Sequence, residues 1–191
     1  VTPVNDAPTF YEVTGTGWVT RDFGGLTEYG LGALVQPDGR IVAAGFADPN
    51  VYAEGAVLRI NSDGSADADF GTQGQVLTSV DQRTHFQDVV LQATGNILAV
   101  GYRANAVGET RHVLARYQTD GSLDTSFGGT GTVVGDTVGI GRAVAQTSDG
   151  RIVVAGEAWG NSLDVSVRRY DPNGNLDTSF NGTGEAQTDF G

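Results

Sequence analysis

One string of this sequence has the residue types and the spacing of a metal-binding loop. Residues 171–177 read DPNGNLD, and oxygen side chains alternate there around a glycine turn at Asp171, Asn173, Asn175 and Asp177. Short calcium loops gather hard oxygen ligands in this way, although this string lacks the distant bidentate glutamate of an EF-hand. The competing interpretation is an Asx turn without an ion. The Asx turn is favoured because Gln118 replaces the first acid in the related string at 118–124. Ca²⁺ is the one cofactor that the sequence suggests.

Each of three repeated segments also carries an arginine inside an apolar strand, an aspartate shortly after it and one phenylalanine. The arginines are Arg59, Arg116 and Arg169, the aspartates Asp67, Asp124 and Asp177, and the phenylalanines Phe70, Phe127 and Phe180. A half-buried guanidinium needs a carboxylate, so we expect each arginine to pair with its aspartate and clamp a turn onto its own sheet. The phenylalanine is expected to wedge between neighbouring sheets. The functional alternative is that the three arginines line a ligand channel.

Aromatic residues that do not recur at equivalent positions are the candidates for ligand contact. Tyr52, Tyr102 and Trp159 follow or end an apolar strand in the least regular loops, at 46–55, 102–111 and 157–163. Loops carry function on repeat scaffolds, and aromatic rings stack on sugars. We therefore predict that these loops form a recognition rim.

Catalysis has little support in the sequence. The only histidines, His85 and His112, lack the spacing of a zinc site or a catalytic triad, and the chain contains no cysteine. Ser126 and Ser179 lie in a repeated DTSF phrase, where a structural hydroxyl is expected. The chain is predicted not to be an enzyme, and a glycosidase built on two of its many carboxylates is the least favoured function.

A repeat must position all these residues. The segment at 36–45 (QPDGRIVAAG) returns at 92–101 (QATGNILAVG) and at 147–156 (TSDGRIVVAG). A period of about 55 residues indicates one supersecondary unit per repeat, each depending on its neighbours to bury its apolar face.

Within a repeat the apolar residues follow the period of a strand, which is two, and not that of a helix. Two strands flank an Asp-Gly or Thr-Gly turn, a third covers 56–60, 113–117 or 165–170, and a short fourth covers 76–77, 133–134 and, in the first copy, 18–19. We predict an all-β, propeller-like array of four-stranded antiparallel blades. Since propellers have about four to eight blades, three blades imply a partial propeller or one completed by a second chain. The alternative is a closed three-fold β-prism or β-trefoil.

The amino-acid composition limits the classes of molecule that the surface can bind. The 191 residues include 29 glycines, 23 acids and 11 basic residues, which gives a net charge of −12. Such a surface repels nucleic acids and anionic membranes and attracts cations. No apolar run is long enough to span a bilayer, and the first residues do not form an export signal.

Two strings resemble known families of bacterial surface proteins. The opening VTPVNDAP is similar to the end of cadherin-like and VCBS-type modules in large, RTX-like adhesins. The order DGRIVAAG, LRINSDGSADADFGTQGQV, with LARYQTDGSLDTSFGGTGTV and VRRYDPNGNLDTSFNGTGEA, resembles the delta-sixty repeat family. This resemblance implies a propeller-like fold and an extracellular, cell-surface or secreted location, and it transfers no activity to particular residues.

These observations predict a linker at 1–9 after a cadherin-like domain and a single repeat domain at 10–191. Its repeats lie at about 15–74, 75–131 and 132–184, followed by the start of a further strand. The predicted function is a non-catalytic adhesion module that presents loops to a glycan or protein on another surface. A structural spacer, or a module that forms a homodimer, is the alternative.

Overall fold

The computed structural model describes residues 22–23, 27–48, 52–160 and 162–189, which form eleven β-strands and no helix. The predicted linker and the predicted strand at 18–19 lie outside these residues. The strands are β1 Thr27–Val35, β2 Ile41–Asp48, β3 Glu54–Ile60, β4 Gln75–Thr78, β5 Arg83–Leu91, β6 Ile97–Ala104, β7 Thr110–Tyr117, β8 Thr132–Gln146, β9 Ile152–Trp159, β10 Leu163–Tyr170 and β11 Glu185–Thr188.

The strands form antiparallel sheets in sequence order, as the blade prediction requires. One sheet has four strands, β1 to β4, and the other has seven, β5 to β11. The described strands form no closed barrel, so the blade prediction is confirmed over the closed three-fold alternatives. The first turn of each repeat places glycine at a φ of 85°, 87° and 85° (Gly39, Gly95 and Gly150), a left-handed conformation that glycine adopts without strain.

The seven-stranded sheet contains two blades because β8 belongs to both. Its first half pairs with β7 and its second half pairs with β9, so one 15-residue strand is the last strand of the second blade and the first strand of the third. Between β4 and β5, by contrast, Asp81 adopts a positive φ of 68° and the chain is not extended. The first blade is therefore a separate sheet.

The core lies between the blades. In β6, Ile97 and Ala99 point to the first blade, while Leu98 and Val100 point to the third, and all four are fully buried. This explains why β6 shows no polar alternation: both faces of the middle blade are covered. Each blade thus buries its apolar side chains only against its neighbours, as the repeat predicts.

Each of the two interfaces between blades buries a tyrosine at the equivalent position, and the hydroxyl of this tyrosine has a different hydrogen-bond partner in each. At the first, Tyr117 hydrogen-bonds to the Thr78 hydroxyl at 2.6 Å, and at the second, Tyr170 bonds to the imidazole of His112. Thr78 and Gly135 stand 57 residues apart, as do Gly55 and His112. The pair Gly55 and Thr78 is therefore replaced by His112 and Gly135, whose absent side chain leaves room for the imidazole ring.

This exchange predicts a strong coupling between positions 112 and 135. Gly135→Thr is expected to lose about 2–3 kcal/mol of unfolding free energy, because the new side chain collides with His112. His112→Ala is expected to lose a similar amount, because Tyr170 loses its partner. The double variant should lose at least about 1 kcal/mol less than the sum, since the introduced hydroxyl can bond to Tyr170 as Thr78 bonds to Tyr117. Urea unfolding of the four proteins measures this cycle, and additive losses would contradict it.

Candidate functional site

The blades carry different side chains at their two ends. One end holds the turns between the first and second strands and the segments that follow β3, β7 and β10, and we call it the socket end. The other end holds the connections β2–β3, β6–β7 and β9–β10, and we call it the rim. The repeated arginines lie at the socket end, and the aromatic residues singled out as ligand contacts lie at the rim.

We call each set of a repeated arginine, its aspartate and its phenylalanine a socket. The first socket consists of Arg59, Asp67 and Phe70 and joins the first blade to the second. Arg59 donates from Nε to Asp67 at 2.6 Å and lies over the ring of Phe70, 4.5 Å from its centre. From Nη1 it donates to the backbone carbonyl of Thr119 in the next blade at 2.5 Å. The side chain is 3% exposed. The arginine therefore clamps its own turn and also holds the turn of the neighbouring blade.

The second socket repeats this geometry one blade further on. Arg116 donates to Asp124 at 2.8 Å, lies 4.5 Å from the centre of Phe127 and donates to the carbonyl of Pro172 at 2.6 Å. Phe70 and Phe127 are fully buried in the interfaces between blades, where the sequence places wedges.

A backbone hydrogen bond completes each occupied socket. Gly71 donates to the carbonyl of Asp120 at 2.7 Å, and Gly128 donates to that of Asn173 at 2.9 Å. The donor residues have φ values of 54° and 59°. A socket thus binds two successive carbonyls of a turn, one through the arginine and one through this amide.

The third socket is formed but holds no turn among the described residues. Arg169 donates to Asp177 at 2.7 Å and lies 4.9 Å from the centre of Phe180. Its side chain is 27% exposed, and Phe180 is only partly buried. Asn181 takes the place of Gly71 and Gly128 with a φ of 50°.

The socket carboxylates are stabilised as anions. Burial raises the pKa of Asp67, but the hydrogen bonds from Arg59 and the Asp69 amide outweigh it, and the pKa lies below its usual value. At Asp177, the hydroxyl of Ser179 and then the guanidinium of Arg169 lower the pKa to about 2. The serines of the DTSF phrase therefore serve the socket: Ser126 donates to Asp124 at 2.6 Å, as Ser179 does to Asp177.

Each socket aspartate has a second donor that was not predicted from the sequence. It comes from the residue after the first turn of the repeat: Arg40 to Asp67 at 2.9 Å, Asn96 to Asp124 at 3.1 Å and Arg151 to Asp177 at 3.1 Å. The signal was present, since this residue directly follows the repeated turn glycine in the phrases DGR, TGN and DGR.

The string at 171–177 lies between the second and third sockets. Asp171 accepts hydrogen bonds from the amides of Asn173 and Asn175 at 2.8 and 2.9 Å, and from the Asn175 side chain at 2.9 Å. Asp177 belongs to the third socket, while the carbonyl of Asn173 fills the second. This string therefore has a structural task that requires no ion, and a chelation experiment tests whether Ca²⁺ also binds there.

We expect chelation to leave the thermal midpoint unchanged. The carboxylates of Asp171 and Asp177 already accept several hydrogen bonds within the chain, and an ion would have to displace these donors. A ligand that binds only the folded protein raises its stability by mass action. Differential scanning fluorimetry with excess EDTA and then with added Ca²⁺ measures this, and a midpoint that falls with EDTA and returns with Ca²⁺ would establish the site.

At the rim, four rings form a continuous row across the first two blades. Tyr29 stacks on Phe46 at 4.9 Å between ring centres, Phe46 contacts His85 at 3.9 Å, and His85 stacks on Tyr102 at 4.9 Å. Tyr29 is 53% exposed. We call these four residues the aromatic row. It exists because Tyr29 pairs with Phe46 and His85 with Tyr102 across their strands, and the blades bring the two pairs together.

The row includes one of the three predicted ligand residues. Tyr102 lies at its inner end, where burial raises the pKa of the phenol, against the opposing charges of Arg142 and Arg83. Tyr52 and Trp159 also lie at the rim and are 48% and 57% exposed, but they make no ring contact with the row. Burial lowers the pKa of His85, helped by Arg83, so the imidazole is neutral at pH 7.

The second histidine lies inside the protein. His112 is fully buried, and burial, with the nearby charge of Arg168, lowers its pKa to about 3. Its Nδ1 has no partner among the described residues. Arg168 is itself buried and pairs with Glu185 at 2.6 Å and with Thr137 at 2.6 Å.

The described part of the chain contains no cluster of three or more histidines and carboxylates that could hold a metal ion. It also contains no helix that is long and apolar enough to cross a membrane.

A comparison with curated proteins finds no match. A family model, described as a domain of unknown function (DUF5122) beta-propeller, matches three times, at residues 36–70, 92–127 and 147–180. Each match runs from the first turn of a repeat to its socket phenylalanine. Because these segments cover more than half of the sequence, the chain belongs to the DUF5122 beta-propeller family.

Proposed function

We propose that this chain is a non-catalytic binding module of a large extracellular bacterial adhesin, of the delta-sixty repeat kind, and that its rim binds a neutral glycan. The observation that carries the proposal is the aromatic row, which is partly exposed at the rim. Sugar rings stack on aromatic side chains, and the outer face of Tyr29 is the most accessible of the row.

The polar surroundings of the row support a sugar ligand. Arg142, whose charge acts on the Tyr102 phenol, donates to Glu157 at 2.8 Å and to Gln87 at 3.0 Å. These groups offer fixed donors and acceptors for hydroxyl groups beside the rings. The net charge of −12 favours a neutral glycan over a sulfated or sialylated one.

The same geometry supports a non-catalytic role. His85 is stacked between two rings, and His112 is buried against Tyr170, so both histidines have structural surroundings. The serines of the repeated phrase donate to socket carboxylates. A screen of the bound glycan for released sugar tests this part, and hydrolysis would contradict it.

We expect Tyr29→Ala to weaken glycan binding about 3- to 10-fold, because an aromatic contact contributes about 0.5–1.5 kcal/mol beyond the buried area. A neutral-glycan array identifies the probe, and calorimetry with the best glycan measures the affinity. Val35→Ala is the control, since Val35 is an exposed apolar residue of the same strand that lies at the socket end, away from the row. An array without any bound neutral glycan, or equal losses in both variants, would contradict the proposal.

A further inference from the structure

An open pocket of about 550 Å³ lies at the socket end, between the first and the second blade. One wall is the turn that follows β1, and the opposite wall is the end of β5 with the turn that follows it. Arg59 and Thr119 of the first socket complete the lining. Every wall therefore belongs to one of these two neighbouring blades.

Two glutamine side chains that line the pocket have no hydrogen-bond partner among the described residues. The Oε1 atom of Gln36 is buried and has no donor. Gln92 is 4% exposed, and only its backbone groups are hydrogen-bonded, within the turn. A buried amide without a partner costs free energy, so nearly all such groups in proteins are paired. The two amides indicate a polar ligand.

The guanidinium of Arg59 offers a further donor to this ligand. In the other two sockets, Nη2 of the arginine donates to a serine hydroxyl, at 3.2 Å from Arg116 and at 3.1 Å from Arg169. Asp69 stands in the place of this serine in the first socket. Arg59 bonds through Nε and Nη1, and its Nη2 has no partner among the described residues.

The charges beside the pocket balance one another. Arg40, which lines it, pairs with Asp38 at 3.0 Å and with Asp67 at 2.9 Å, while Arg59 pairs with Asp67 at 2.6 Å. Two cations thus face two anions. The pocket is therefore complementary to a neutral group that both donates and accepts hydrogen bonds.

The second interface between blades shows which group fits. There the side chain of Gln146 accepts from the Ala93 amide at 3.0 Å and donates to the Gly150 carbonyl at 3.3 Å. In the first interface Leu91 stands in the place of Gln146, and Pro37, which has no N–H, in that of Ala93. Both replacements line the pocket. The first interface thus lacks the carboxamide that the second interface supplies from its own chain.

We propose that this pocket binds a primary carboxamide, either in a free small molecule or as the side chain of glutamine or asparagine in a peptide. The NH₂ group supplies the missing donor for Oε1 of Gln36. The carbonyl oxygen accepts from the Gln92 amide or from Nη2 of Arg59. A carboxylate would add a charge and leave Gln36 without a donor. The site lies at the opposite end of the blades from the aromatic row, and this inference is independent of the proposed glycan site.

Ligand-observed NMR titration of the full chain tests the specificity. The probes are L-glutamine and a capped Gly-Gln-Gly peptide, each paired with its glutamate counterpart. The amide should bind at least about threefold more tightly than the acid, since the acid loses one hydrogen bond. Binding of L-glutamine alone identifies a free amide as the ligand, and binding of the capped peptide alone identifies a side chain. Equal binding of amide and acid, or no binding of either amide, would overturn the proposal.

Variants then locate the binding. Gln92→Leu should weaken it about 3- to 10-fold by removing one hydrogen bond. It should leave the thermal midpoint unchanged or raise it, because the lost amide has no partner within the chain. Gln187→Leu, which removes an exposed glutamine of β11, is the matched control and should change neither quantity.

The double variant Pro37→Ala, Leu91→Gln copies the residues of the second interface into the first. It should abolish amide binding, because the introduced glutamine places the chain's own carboxamide in the pocket. Circular dichroism verifies that the variant is folded. A folded double variant that binds like the original chain, or a lower thermal midpoint for Gln92→Leu, would overturn the assignment.

Discussion

Replacement of Arg59 by alanine is expected to lower the free energy of unfolding by about 3–5 kcal/mol. The guanidinium is 3% exposed and neutralises Asp67, which is 7% exposed. Its loss leaves a carboxylate buried without its main partner and removes the hydrogen bond to Thr119 in the next blade. Urea unfolding followed by circular dichroism measures the change.

The third socket is an internal control for this prediction. Arg169→Ala removes the same side chain from the same local structure, but its side chain is 27% exposed and holds no following blade among the described residues. A partly exposed pair is screened by solvent and contributes less than a buried one, so the loss should be clearly smaller than at position 59. Arg59→Met with Asp67→Leu should recover much of the stability lost by Arg59→Ala, because an apolar pair leaves no buried charge. Equal losses at positions 59 and 169 would contradict the importance of the bridge between blades.

Lowering the pH from 8 to 5 is expected to cost about 2 kcal/mol of unfolding free energy through His112 alone. The folded pKa of about 3 lies below the unfolded value of 6.5, so the unfolded chain binds the proton first. The stabilisation is therefore complete above pH 6.5 and is lost progressively as the pH falls towards 3. His85, whose pKa is also lowered, adds a loss of the same sign.

Variants separate the two histidines. His112→Gln keeps a group that can bond to Tyr170 but cannot titrate, and it should flatten most of the slope between pH 8 and 5. His85→Gln should leave most of the slope in place. Urea midpoints at several pH values give these slopes. Measurements above pH 4.5 exclude a contribution from the socket aspartates. Their pKa values are lowered, so their protonation destabilises the protein only in stronger acid. A slope that survives His112→Gln would show that the buried imidazole is not its source.

The sequence predicted the blade architecture because the period-two pattern and the turn glycines are local signals that repeat three times. Strand order and the fourth strand followed from the same signals. The long β8 could not be predicted, because whether two successive strands merge depends on the backbone at a single junction, such as Asp81 in one copy. The repeat length says nothing about that junction.

The contacts in the candidate sites could also be predicted from the sequence only in part. The pairing of Arg59 with Asp67 was predictable from the cost of a buried charge and from its repetition. Its hydrogen bond to Thr119 was not, because the partner is a backbone carbonyl, which carries no side-chain signal. The aromatic row was missed for a related reason: Phe46 and His85 meet only when two blades stack, and neither residue recurs in the third blade.

The unbroken β8 makes the second and third blades a single mechanical element. Separating them would bend a strand whose first half is held in a ladder with β7 and whose second half is held in a ladder with β9. The first blade, by contrast, is attached through the irregular segment 79–82 and shares no ladder with its neighbour. Local opening should accordingly begin there. Amide protons of β2 and β3 are then expected to exchange with solvent by partial detachment, before those of β7 and β9 become accessible through complete unfolding.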